Sequence, residues 1–248
     1  MNTKSIIVPD AWLKLDPADL HGVLLVIGAP NTGKSTFARW LFDRLKGLGW
    51  DVAFLDGDVG QSVLGPPTTM TLALPNESPP WNGNRDWAAA QGLNHHTRWF
   101  VGDVSPRGQM LPLVVGAGRL VRRAREAGAE TVIVDTTGLV DHKQGGAALK
   151  HALVDQLQPA TLIAFQRADE LEPILGPLRG ASRPRVVELP VINVVRRRGV
   201  PTRRAHRAKV FRRYFAGTGV LYLSLRERAI LGGRTLVPRR LVALRDTQ

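Results

Sequence analysis

Hydrophobic and polar positions along the chain alternate between two periods. "GVLLVIG", residues 22–28, is a continuous apolar run of the kind expected for a strand buried on both faces, and it passes directly into a Gly-rich stretch. "STFARWLFDRLKGLG", residues 35–49, then places Phe37, Trp40, Leu41, Leu45 and Leu48 at helical spacing and stops on Gly49. "DVAFLDGD" reads as a short strand ending in two carboxylates, while "GPPTTM" and "PNESPPWNGN" carry turn and loop chemistry. "RWFVGD" predicts a strand and "LPLVVGAGRLVRRAREAG" a helix with an apolar stripe. "ETVIVDTTG" is a buried strand ending at polar residues, "GGAALKHALVDQLQP" a helix, "ATLIAFQ" a strand, "DELEPILGPLRG" a short helix and "RVVELPVINV" strand-like. Strand and helix periods that alternate in this way predict an α/β fold with a mostly parallel, doubly wound sheet flanked by helices. From Arg196 to Phe215 the character changes to a basic helix, and residues 220–244 read as short strands with a "GG" turn.

Composition narrows the chemistry. No apolar run approaches the roughly 20 residues needed to span a bilayer, and the first residues lack a long apolar region with a cleavage site, so a cytoplasmic protein is expected. The absence of cysteine excludes disulfides, zinc thiolates and thiol nucleophiles. The histidines are scattered apart from His95-His96, which argues against a metal cage built from protein ligands alone. The formal charge of +13 is concentrated: residues 179–213 hold twelve Lys or Arg against one acid, Glu188. That segment suits a phosphate-rich partner, the plainer alternative being a solvated Arg-rich helix.

Gly28, Gly33, Lys34 and Ser35 match the spacing G-x-x-x-x-G-K-[ST], between an apolar strand and an amphipathic helix. Such a loop turns backbone N–H groups around a β-phosphate, sets a lysine between β- and γ-phosphates, and offers a hydroxyl to Mg²⁺. Residues 28–36, Gly28, Ala29, Pro30, Asn31, Thr32, Gly33, Lys34, Ser35 and Thr36, are therefore expected to cradle a nucleotide. In "FLDGDVGQS", Asp56 and Asp58 end a strand beside that loop, where a carboxylate either holds the metal's water shell or accepts a proton from an attacking hydroxyl. "VDTTG", residues 134–138, is the D-x-x-G pattern by which GTPases sense a γ-phosphate, and "FQRAD" faintly resembles their guanine-reading stretch, with Gln166 and Arg167 in place of Asn and Lys. These motifs leave open a phosphotransferase, a GTPase or regulatory ATPase, a small-molecule kinase, and a nucleic-acid-binding scaffold that keeps a nucleotide.

The ordered set "GAPNTGKST", "DGDVGQ", "GPPTT", "FVGDVSPRG", "DTTG" and "RRRGVPTRRAHRAKVFRRYF" resembles the polynucleotide 5′-hydroxyl kinases typified by the Clp1 and Grc3/Nol9 proteins. The resemblance implies a P-loop kinase domain over residues 1–215 with a lid at about 196–215, followed by a small β-rich extension, 216–248, packed on the core. It implies ATP and Mg²⁺ as cofactors and RNA or DNA 5′-hydroxyl ends as partners, with no membrane; it implies no particular protein partner. Asp58 corresponds to the carboxylate that activates the 5′-hydroxyl, with Lys34 and the lid arginines Arg198 and Arg203 as the other catalytic residues. Asp56 and Ser35 would support the metal, Gln61 and Ser105 the phosphates, and Asp58, Gln61, Thr137 and Arg207 the acceptor. Leu139 stands where the family often has a Trp that stacks on the first base; Trp81, Trp87 and Trp99 are candidate substitutes. Gln109 stands where Clp1 members often have Asn. The large flanking domains of eukaryotic members have no counterpart, so the chain looks like a catalytic core.

Overall fold

The computed structural model describes residues 8–75, 97–191 and 199–220. Its strands are β1 Gly22–Gly28, β2 Val52–Asp56, β3 Thr69–Ala73, β4 Thr97–Phe100, β5 Thr131–Asp135, β6 Thr161–Gln166 and β7 Arg185–Pro190. They form one sheet in the order β4-β3-β2-β5-β1-β6-β7. The run from β2 to β7 is parallel, whereas β3 pairs antiparallel with β2 and β4 antiparallel with β3. The helices are α1 Asp10–Leu13, α2 Lys34–Gly47, α3 Met110–Glu126, α4 Gly146–Leu157, α5 Glu172–Leu175 and α6 Val200–Tyr214.

Successive residues of a strand face opposite sides of the sheet, and β1 feeds two separate cores in this way. Leu24 and Val26 join Phe37, Leu41, Phe42 and Leu45 of α2 on one face. Val23, Leu25 and Ile27 join Leu113 and Leu120 of α3 and Leu149 and Leu153 of α4 on the other. The expected parallel sheet flanked by helices is therefore present, a three-layer P-loop α/β fold. Two details differ from the reading of the sequence. "GPPTTM" holds the start of β3, a fully buried strand rather than only a turn. Leu48 of the expected apolar stripe is 56% exposed, because α2 ends at Gly47 and the chain turns away at Gly49 with φ +85°.

The parallel register sets the site. Val26 lies opposite Asp135, and Asp135 opposite Asp56, so three strands end together at the edge where the Gly-rich loop begins. The short helix α1 was not evident from sequence; its Trp12 is 1% exposed and meets Phe37 edge-on at 5.1 Å, closing the α2 side of the core.

The chain divides into two compact units, Met1–Tyr214 and Phe215–Gln248. The strands expected in residues 220–244 lie outside the described residues except for residue 220. Among the described residues no helix is long and apolar enough to cross a membrane.

Phe37 is fully buried between Trp12 and Phe165. Phe37→Ala should lower the unfolding free energy by about 3–5 kcal/mol, measured by urea denaturation.

Candidate active site

The loop after β1 holds Ala29, Pro30, Asn31 and Thr32, and α2 opens at Lys34 with Gly33 as its N-cap. Gly33 has φ +95°, a conformation that side chains disfavour, and no side chain caps the helix. The uncapped first turn, with its positive dipole end, suits an anion. Thr32 Oγ1 donates to Ala29 O at 2.9 Å and braces the loop from within. The guanidinium of Arg167, from the turn after β6, donates to Asn31 O and braces it from outside. Residues 30–36 line a cleft of about 1170 Å³.

Asp58 lies across that cleft. Its Oδ1 accepts from the amides of Gly60 and Gln61, both at 3.1 Å. Its Oδ2 stands 3.7 Å from Lys34 Nζ, with both side chains largely buried. The two amides fix the carboxylate's orientation and leave one oxygen turned to the phosphate lysine. Gly60 permits this turn, since a Cβ there would lie 2.6 Å from Val104 O. Gln61 Nε2 donates to Gly60 O at 2.6 Å, while its Oε1 is buried without a partner.

Asp56 has both oxygens engaged inside the same loop. Oδ1 accepts from Asp58 N at 3.3 Å; Oδ2 accepts from Ser62 Oγ, Val63 N and Leu64 N at 2.8, 2.6 and 2.9 Å. Burial pushes its pKa up to about 6 against those donors, with the neighbouring Asp135 adding to the rise. This carboxylate shapes the loop that carries Asp58. Asp135, at the end of β5, is placed differently: Oδ1 is buried with no partner. Burial raises its pKa, while the charge of Lys34 and a hydrogen bond from Ser35 pull it down. The sequence contained this residue in "VDTTG", and its spatial signal, a strand next to β1, became visible only with the sheet order.

Ser105 sits in an exposed turn, its N donating to Asp103 Oδ1 and its Oγ accepting from Arg107 N. Ser105, Pro106 and Arg107 line the cleft, as do Thr137 and Leu139 from the turn after β5. Thr137 Oγ1 is buried without a partner. Helix α6 brings Arg203 and Arg207 to the cleft, together with His206, Lys209 and Arg213, which had not been singled out from sequence. His206 Nε2 is 3.5 Å from Ser62 O, so α6 meets the loop that Asp56 organises. Arg198, Trp81 and Trp87 lie outside the described residues. Trp99 packs against the core under the Arg119 guanidinium, 5.2 Å from the ring centroid, which is a packing role. Arg179 pairs with Glu172 and Glu188, and Arg185 with Asp19, so those two cations of the basic run are engaged elsewhere.

The family described as mRNA cleavage and polyadenylation factor CLP1 P-loop matches residues 28–217. A polyribonucleotide 5′-hydroxyl-kinase of Thermococcus kodakarensis is 34% identical over 84% of this chain and 56% of its own length. Another, of Methanocaldococcus jannaschii, is 30% identical over 85% of this chain and 54% of its own. The chain spans about half the length of the curated relatives it matches. The solved wild-type Clp1p–Pcf11p complex shares the fold with a TM-score of 0.61 at 17% identity, covering 82% of this chain and 51% of that one. With the phosphate loop, the Asp58 loop and α6 all inside the matched span, the chain belongs to the Clp1 P-loop family.

Proposed function

We propose that this chain transfers the γ-phosphoryl group of ATP to the 5′-hydroxyl end of a polynucleotide, RNA by preference. The observation that carries the reading is Asp58 Oδ2 at 3.7 Å from Lys34 Nζ in a cleft bordered by the basic helix α6. A carboxylate facing the phosphate lysine is a base for an attacking hydroxyl, and a helix bearing Arg203, Arg204, Arg207, Lys209, Arg212 and Arg213 suits a polyanionic acceptor. The names of the two archaeal relatives support RNA as the acceptor.

In this reading the loop amides and Lys34 hold the β- and γ-phosphates. Asp58 accepts the proton of the 5′-hydroxyl as its oxygen forms a bond to γ-phosphorus in line with departure of the ADP oxygen. Arg203, with Arg198 on the same basic segment, offsets charge on the equatorial oxygens. Gln61, Ser105 and Thr137 contact phosphates and acceptor, and Arg207 grips the acceptor backbone. The buried, unpartnered Oδ1 of Asp135 beside the Ser35 hydroxyl fits a hydrated divalent cation, so Ser35 and Asp135, rather than Asp56, would hold Mg²⁺. Bound there, the ion would neutralise charge on the β- and γ-oxygens. Among the described residues no three His, Cys, Asp or Glu side chains converge on a metal, so phosphate and water would supply most of its coordination.

With γ-labelled ATP, Mg²⁺ and a 5′-hydroxyl oligoribonucleotide, label should appear on the 5′ end; ATP hydrolysis without transfer would refute the reading in favour of a nucleotide switch. Asp58→Asn should lower kcat by about 10²–10⁴-fold, while nucleotide still binds in a filter assay. Asp135→Asn should raise the Mg²⁺ concentration for half-maximal activity by roughly tenfold. Asp56→Asn should instead lower the melting temperature, since it sets an amide against three donors. Arg207→Ala should weaken acceptor binding and reduce the slope of log Kd against log salt by about 1, read by fluorescence anisotropy across a salt series.

A further inference from the structure

Lys150 of α4 takes no part in the chemistry above, yet its side chain is fully buried. An ammonium rarely stays in a protein interior without specific partners. Here Nζ donates to Thr136 Oγ1 at 2.8 Å and to Thr137 O at 2.7 Å. Thr136 Oγ1 passes the chain on, donating to Val26 O of β1 at 2.8 Å. Burial and the nearby Lys34 bring the lysine's pKa down to about 7, while Asp58 and Asp135 oppose the fall. Leu149 and Leu153 of the same helix belong to the core between α3 and α4. What the lysine adds is two directed donors to one turn. That turn carries Asp135 Oδ1 and Thr137 Oγ1, both buried and without partners. It also touches the phosphate loop, since a Cβ on Gly138 would lie 2.9 Å from the Pro30 ring.

We propose that Lys150 is a positioning residue for phosphoryl transfer: through Thr136 Oγ1 and Thr137 O it ties the 135–138 turn to β1 and so holds Asp135 and the Thr137 hydroxyl in register with the phosphate loop. The proposal rests on the kinase reading of the cleft. Its signature is a loss in turnover with little loss in ground-state binding, because the turn is misaligned by a fraction of an ångström while the loop amides and Lys34 remain.

The test compares the whole chain with Lys150→Met, which keeps length and apolar volume and removes the donors. The transfer kcat should fall at least about tenfold, with KM for ATP and for a 5′-hydroxyl oligoribonucleotide within about threefold of the parent. Thr136→Val breaks the same chain one bond further on and should reproduce the loss, whereas Thr136→Ser, which restores the hydroxyl, should recover most of the turnover. If Lys150→Met does not fold, the Thr136 pair carries the test. An unchanged kcat in the folded variants, a defect confined to KM, or Thr136→Ser as impaired as Thr136→Val would each overturn the positioning role. If the parent protein labels no 5′-hydroxyl oligonucleotide, the kinase reading fails by itself. The same kcat ratios are then read on ATP hydrolysis, where an unaffected Lys150→Met or Thr136→Val would overturn the inference separately.

Discussion

Strands β1 and β5 lie side by side and parallel, with Val26 opposite Asp135, and this pairing sets Asp135 beside the loop that carries Lys34 and Ser35. The loop leaving β1 becomes the phosphate cradle, and the turn leaving β5 becomes its neighbour. A shift of one residue would send Asp135 to the opposite face of the sheet, away from Ser35 and Lys34. The pairing is secured by burial on both faces. Residues 23–27 of β1 are essentially inaccessible, so a slipped register would have to repack apolar side chains in both cores at once.

The second constraint is electrostatic. Asp56, Asp135, Lys34 and Lys150 are all buried close to one sheet edge, and each alone would be costly there. The structure resolves this by giving each group a different kind of partner. Asp56 takes backbone and hydroxyl donors within its own loop. Lys150 takes a hydroxyl and a carbonyl from the 136–137 turn. Lys34 and Asp58 face one another at a distance longer than a close ion pair, which leaves each available to a ligand. Groups with saturated partners build the site, and groups with incomplete ones are those a substrate or ion would complete.

Much of this was legible in the residues themselves. The Gly28 to Ser35 spacing and the apolar run before it were enough to place the cradle, and Asp58 followed from its place at a strand end. Two things needed three dimensions. "TMTLA" is a buried strand whose Thr and apolar residues alternate over only four positions right after Gly-Pro-Pro, too short a pattern to outweigh the turn chemistry before it. The roles of Asp56 and Asp135 could not be ordered from sequence either, because both end apolar strands. Only the neighbouring loop's donors, folding back from Ser62 to Leu64, distinguish a carboxylate used for architecture from one left open. The basic run was legible as charge but not as geography. Arg179 and Arg185 are held by Glu172, Glu188 and Asp19, and the described cations of that run that border the cleft are Arg203, Arg207, Lys209 and Arg213 of α6.

Helix α6 buries none of its residues. An amphipathic helix ordinarily docks through an apolar stripe, and the half-buried face of this one mixes Arg203, His206 and Arg207 with Val210 and Phe211. Its contacts to the body of the domain include His206 against Ser62 O and the Tyr214 ring against the Arg98 guanidinium. Among the described residues, no apolar surface covers this helix as one covers α2. In the proposed kinase reading, an anionic acceptor strand would give α6 the counter-surface that the hydrophobic core gives α2, so docking of this helix and choice of a polyanion would be coupled.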